Sequence, residues 1–542
     1  MANSSPPPRI LARRVPVDPG FDRWLTVGFE RRVLVVVRTV TTLNRLLDAL
    51  TLFSGDHRVQ TVFTFDQDQP AILGAGVPDL LARLGAAVVP WPEAVATRFD
   101  LAIAASENDA LHLLDAPVVL LPHGIGYQKY YPGTSVVAGL NPDRLVHAGR
   151  VVPALIAVTH AEQRDRLHTV SPAAAERAEV VGDPCLDRLV AGAHRAAAYR
   201  EALAGPGRRL VTVASTWGPD SVLGRHPDLP LRLIAELPVD TTAVCAVLHP
   251  GIAAAHGTWQ LDAWLGAARE AGLLVIPSDT GWQAAITAAS CVIGDQGSVS
   301  LYAAALDRPM LFAGNRSVST VPGSPAAMLT DRVPSLSASD SLAAQIDAAI
   351  DRHLPGRYEP VAKQAVAVPG EAAARLRTAF YRLLRLPEPA AEAEFSSYPL
   401  ISPARTEPAA FVAGVRDADE ALVRLPATEL PQHLHYLHVL AHHTRASLRE
   451  LSAATVVFAD LPEAEFDSWA TATLKQWPDA EFAAVRLPGR CLVLDRTGRR
   501  FELDSPDADP LSAVSLLHLG QTGPVERLNL GHRQVSVAIR VR

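Results

Sequence analysis

From Arg32 onward, short solid apolar runs alternate with longer stretches of helical spacing. Val33 to Val37 has no polar interruption, Thr41 to Phe53 repeats apolar residues every three or four positions, and Val59 to Phe65 is β-branched and aromatic. The same pattern predicts a helix near 78–84 and strands at Ala86–Val89, Leu101–Ala104, Val118–Leu121, Ala154–Val158 and Ala178–Val181. Runs that are apolar at every position, not at alternate ones, belong to parallel sheets covered by helices on both faces.

A second series starts after the hinge-like Gly205-Pro206-Gly207. Strands are predicted at Leu210–Ala214, Ala243–Leu248, Leu273–Ile276, Cys291–Ile293 and Met310–Phe312. Helices are predicted at Leu231–Glu236, Gln260–Ala271, Trp282–Ala289 and Val299–Leu306, and a long helix, Glu371 to Leu384, is expected to close this second unit. The expected fold is α/β and GT-B-like: two Rossmann-like, doubly wound domains, 30–195 and 205–386, with strand C-terminal ends facing one cleft. Residues 387–409 are Pro/Ala/Glu/Ser-rich and read as a linker, and 410–542 as a small α+β domain of unnamed role.

The bulk numbers narrow the classes. A chain of 542 residues exceeds one ordinary core. No stretch of signal-peptide or membrane-span character is present, so 1–29 reads as a disordered leader on a cytoplasmic protein. A net charge of −7 speaks against nucleic acid as a partner. The four cysteines are far apart and without zinc spacing, so no metal and no cofactor is expected. His435, His438 and His442 fall on one helical stripe, read as a helix face at a domain interface. Asp66-Gln67-Asp68 reads as a solvated loop.

Candidate chemistry gathers at strand ends. The run Val118–Leu121 leads into His123-Gly124 and, further on, Lys129. A histidine at a parallel strand's C-terminal tip enters the ligand crevice and suits general-base work. Strand Ala243–Leu248 ends in His249-Pro250, and strand Leu210–Ala214 in Thr216-Trp217, with Arg225 nearby. His256 sits in a loop read as cleft lining. The stretch Gly294-Asp295-Gln296-Gly297-Ser298 opens a small-residue helix. Its glycines and free first-turn N–H groups make a seat for a diphosphate, although Ser298 can equally be an ordinary N-cap. Bulk at Gly297 is expected to exclude the ligand and leave the fold intact.

His123-Gly124 with Lys129, Gly182-Asp183-Pro184-Cys185-Leu186-Asp187, Thr216-Trp217, His249-Pro250 and Gly294–Ser298 occur in the order and spacing of one known family. Over roughly residues 115–315 the chain resembles the CDP-glycerol glycerophosphotransferases of teichoic-acid synthesis, within the GT-B set, as a divergent member. The family's His-Gly-Thr is His-Gly-Ile125 here, its Thr-Trp-Arg is Thr-Trp-Gly218, and its Tyr-Ser pair is Gln296-Gly297. Arg225 is the candidate substitute for the missing arginine. The resemblance implies a metal-independent transferase moving a glycosyl or glycerophosphoryl group from a nucleotide-diphosphate donor to a polyol, sugar or lipid-linked acceptor, with peripheral membrane contact. His123 would be the base and His249 the donor to phosphate oxygens. Thr216, Trp217, Arg225, Asp295, Gly297 and Ser298 would hold the donor, and Gly124, Lys129 and His256 would line the cleft. The alternatives are a nucleotide-sugar-binding sensor and a UDP-sugar 2-epimerase-like enzyme.

Overall fold

The computed structural model describes residues 25–68, 71, 74, 76–131, 133–315, 320–416, 420–428, 434–523 and 525–542. The expected leader, up to residue 24, and His433 lie outside the described residues.

The first sheet is built from β1 (Arg31–Val36), β2 (Val59–Thr64), β3 (Leu101–Ala104) and β4 (Val118–Leu120). After a short hairpin, β5 (Val146–His147) and β6 (Arg150–Val151), come β7 (Pro153–Val158) and β8 (Ala178–Val180). Its order is β2-β1-β3-β4-β7-β8, all parallel. Successive β1 residues serve opposite layers: Val33 and Val35 join one core cluster, Leu34 and Val36 the other. That is why the run tolerates no polar residue. The predicted strand Ala86–Val89 reduces to one bridge, Phe63 with Val88.

The second sheet contains β9 (Arg209–Ser215), β10 (Thr242–Leu248), β11 (Leu274–Ile276), β12 (Cys291–Gly294) and β13 (Met310–Phe312), parallel in the order β11-β10-β9-β12-β13. Chain order reverses between β9 and β12, so the loops that leave these two strands diverge and open a crevice. The helix Ala372–Leu384, expected to close this second unit, packs instead on the first: Leu376, Phe380 and Leu384 join the cluster of Val33, Val35 and Leu43. Its amphipathic stripe fits either sheet, and Asp187 decides the matter by accepting from the N–H groups of Gly370 (2.7 Å) and Ala372 (2.8 Å) at its start.

The C-terminal body, expected as a small α+β domain, is built around a closed barrel. Strands β14 (Ala410–Arg416), β15 (Ala421–Pro426), β16 (Leu434–His442), β17 (Val456–Ala459), β18 (Phe482–Leu487), β19 (Arg490–Asp495), β20 (Arg500–Asp504), β21 (Val525–Leu530) and β22 (Arg533–Val541) close into a barrel. Alternation is regular: Phe458, Ala484 and Val493 pack with the helix Leu511–His518, whereas Val457, Ala483 and Leu492 pack with the helix Phe466–Gln476. Leu511 to Leu517 are all buried, Ser512 and Ser515 included, so the 511–518 helix is enclosed around its circumference and fills the barrel. The histidine stripe belongs to strand β16, not to a helix. His438 and His442 are buried, and His435 is exposed.

Residues 387–409 carry no helix or strand but are pinned along their length. Phe395 enters the first core, the Arg188 guanidinium lies 4.0 Å over the Tyr398 ring, and Ile401 packs against the second sheet's cluster.

Candidate functional site

The two sheets meet at their C-terminal strand ends. A Cβ placed on Gly124, beyond β4, would stand 2.4 Å from Ser298 Oγ, beyond β12. Val321 N–H donates to the Gln128 carbonyl at 2.9 Å, and Lys129 bridges Thr320. The strand-tip residues of both sheets therefore line one cleft. Replacing Gly124 by alanine should force the Ser298 hydroxyl out of its place at the cleft. The expected result is a loss of ligand affinity at near-wild-type stability, read by calorimetry and a melting curve on one preparation; unchanged affinity would place the ligand elsewhere.

His123 is open to solvent, but protein stands on both sides of it, and that surrounding mass lowers its pKa; Arg45 and Lys129 lower it further, against a nearby Glu107. It makes no hydrogen bond among the described residues, so its neutral ring keeps a lone pair free for a proton. His249 caps the helix Pro250–His256 through Nδ1, which accepts from Gly251 N–H at 2.9 Å. With Nδ1 accepting, the neutral tautomer carries its proton on Nε2. Burial, then the charge of Lys129 and the nearness of His123, pushes the His249 pKa down to about 4. Lys129, lowered by burial and sustained by Asp295, forms no ion pair among the described residues. Two neutral imidazoles from opposite sheets and an uncommitted ammonium thus sit within electrostatic reach of one another.

The loop after β12 is arranged around Asp295, which is 1% exposed. Its Oδ2 accepts from Thr216 N (2.8 Å), Thr216 Oγ1 (2.8 Å) and Val222 N (3.1 Å), and its Oδ1 from Gly297 N (3.1 Å). Burial raises its pKa, but four donors and Lys129 favour the carboxylate. Three residues expected to bind the donor, Thr216, Gly297 and Asp295, have other partners here. The Thr216 hydroxyl and the Gly297 amide, expected to donate to phosphate, are already committed to Asp295, and Asp295 ties β9's loop to β12's loop instead of facing a ligand. Gly297, not Ser298, is the N-cap, with no side-chain capping bond. The Ser298 hydroxyl and the N–H groups of the first helical turn remain available for an anion. A Cβ on Gly297 would lie 2.3 Å from Thr216 Cγ2, so bulk there disrupts this loop, contrary to the expectation of an intact fold.

Other candidates lie further out. Trp217 is 49% exposed at the lip. Arg225 is exposed at the end of the helix Val222–Arg225, and its guanidinium makes no hydrogen bond or ion pair among the described residues. His256 does not line the cleft: it is exposed at a helix end and packs edge-on against Trp264. Asp183 is a buried N-cap that accepts from Leu186 N–H (2.8 Å), Arg45 (3.3 Å) and Tyr302 OH (3.0 Å), so this motif joins the two units under the cleft. Sequence reasoning missed Glu107 beyond β3, which accepts from Tyr131 OH (2.5 Å) and Gly139 N (2.7 Å), and Asp109, paired with Arg38 at 2.8 Å. The acid-rich end Ser106-Glu107-Asn108-Asp109 of an apolar strand was the available signal.

No family model matches the chain, and no curated protein does. Among solved structures, it is similar to the wall teichoic acid polymerase TagF, with 11% identity over 66% of this chain and 90% of that one, and a TM-score of 0.42. It is also similar to S. aureus MnaA with UDP, with 11% identity, 68% and 100% coverage and a TM-score of 0.38. A third likeness is to UDP-GlcNAc 2-epimerase from Methanocaldococcus jannaschii, with 10% identity, 65% and 99% coverage and a TM-score of 0.41. No helix among the described residues is long and apolar enough to cross a membrane.

Proposed function

We propose that the cleft is the active site of a GT-B-type transferase that takes a nucleotide-diphosphate donor and passes its glycosyl or glycerophosphoryl group to a hydroxyl acceptor. The observation that carries this reading is the opposition of two neutral histidines, His123 and His249, from different sheets, beside the uncommitted Lys129 and the open helix start at Ser298. Phosphate oxygens would take hydrogen bonds from Ser298, from the first-turn amides and from His249 Nε2–H, with Lys129 balancing charge. His123 would accept the acceptor's proton as the new bond to oxygen forms. A glycosyl transfer then releases a nucleoside diphosphate, and a glycerophosphoryl transfer a nucleoside monophosphate. The carboxylates a 2-epimerase-like reaction requires are engaged elsewhere: Glu107 by Tyr131 and Gly139, Asp295 by four donors.

A thermal-shift panel of CDP-, UDP-, GDP- and ADP-linked donors tests binding, and the nucleotide released tests the reaction. Binding without any nucleotide release would leave a sensor and remove the transferase. A second check reads charge. In a 15N NMR titration, His249 is expected to titrate near pH 4 in the free protein. Its pKa should move upward on adding donor, since a bound polyanion favours the imidazolium. A His249 that titrates at the ordinary histidine value in both states would exclude the enclosed position.

A further inference from the structure

A cavity of about 520 Å³ lies far from the cleft, where the N-terminal end of β10 and the end of the preceding helix meet the barrel. The seven residues of β10 separate it from His249, roughly 20 Å at strand rise. Its volume is that of a small-molecule site. One wall is apolar, with Leu274 from the second sheet and Phe411 from the barrel, and four arginines line it: Arg208, Arg405, Arg424 and Arg533.

Four carboxylates, Asp240, Glu407, Asp507 and Asp509, line the same cavity. Arg424, 1% exposed, gives Nε to Asp240 (2.9 Å) and Nη2 to Asp509 (2.8 Å), yet its buried Nη1 has no partner. Arg208 donates only to the Thr242 carbonyl (2.7 Å), and its Nε is buried without a partner. Arg405 reaches one carbonyl, that of Ala202 at 3.2 Å, and Arg533 one, that of Asp507 at 3.1 Å. None of these last three makes an ion pair among the described residues. Three of those carboxylates are taken, Asp240 and Asp509 by Arg424 and Glu407 by Arg486 and Arg445, while the exposed Asp507 makes no ion pair among the described residues. Burial, and then the neighbouring Arg405, push the Arg208 pKa down to about 10. A guanidinium without an ion-pair partner is costly where it is half-buried, as Arg208 and Arg533 are, whereas Arg405 is exposed, and the planar forks of all three match tetrahedral oxyanions.

We infer that this cavity binds a phosphorylated small molecule, its phosphate among Arg208, Arg405 and Arg533, and its organic part on Phe411 and Leu274. The site stands apart from the proposed donor cleft and is independent of it. Val239 N–H bonds the Arg424 carbonyl at 3.0 Å across the same seam, so occupancy would fasten the barrel to the second sheet.

Calorimetry of the full-length chain with inorganic pyrophosphate tests the site. If both sites bind, wild type shows two. Arg208→Gln and Arg405→Gln should each weaken one of them by about tenfold or more, and Lys129→Gln only the other. If the cleft binds nothing, wild type shows a single site that the arginine variants remove and Lys129→Gln leaves untouched. Arg405 is exposed, so its variant folds even if that of Arg208 does not. Pyrophosphate binding that is unchanged in both arginine variants, or lost only in Lys129→Gln, would overturn the assignment. Phenyl phosphate should bind the cavity about tenfold tighter than inorganic phosphate through the apolar wall, and equal affinities would overturn the organic half of the ligand.

Discussion

Replacing His123 by alanine should lower turnover by about 10²–10⁴-fold while leaving the melting temperature and donor affinity close to wild type, the usual scale of a lost general base. The ring hydrogen-bonds nothing among the described residues, so its removal orphans no partner and stability has little reason to fall. Its pKa is lowered by the surrounding protein and by Arg45 and Lys129, so the proton-accepting form predominates at neutral pH. The sign for the pH profile follows. A base must be unprotonated, and a lowered pKa moves the acid limb of kcat/KM below the ordinary histidine value of about 6.5. Single-turnover rates and melting curves on the same preparation decide the point. Lost stability with turnover preserved per folded molecule would make His123 structural, and an unchanged rate would remove it from the mechanism.

The strand-tip residues were legible because an apolar run ended by a histidine or a glycine has few readings: His123, His249 and Ser298 all stand at the cleft. What those residues bond to was not legible. Three of the four donors to Asp295 come from positions 73 to 79 residues away in sequence, a pairing that only the β9–β12 reversal creates. Thr216 and Asp295 thus read as two ligand contacts when they are contacts of each other. The histidine stripe shows a different failure. His435, His438 and His442 fit a period of 3.6, but His438, Leu440 and His442 fit a period of two equally well, and barrel closure selects the second. The 511–518 helix has only Ser512 and Ser515 to break its apolar surface, and both are buried, so the surrounding barrel left no local mark. The helix Ala372–Leu384 has a clear apolar face that either sheet could receive, and its placement hangs on Asp187, 185 residues from Ala372.

Replacing Asp295 by alanine should destabilise the protein by roughly 4 kcal/mol or more, and donor affinity should fall with it, because four buried donors lose their acceptor at about 1–3 kcal/mol each before relaxation. Asparagine separates the causes. Turned so that its carbonyl oxygen replaces Oδ2, the amide keeps Thr216 N, Thr216 Oγ1 and Val222 N satisfied and sets an NH₂ against Gly297 N–H alone. One opposed donor pair, with one negative charge lost beside Lys129, should cost about 1–3 kcal/mol, less than alanine. Urea unfolding of the three proteins gives the ordering wild type, asparagine, alanine. If Asp295 instead touched the ligand, both substitutions would lower donor affinity at nearly unchanged stability. That result would return the carboxylate to the cleft and leave the junction of the β9 and β12 loops without its anchor.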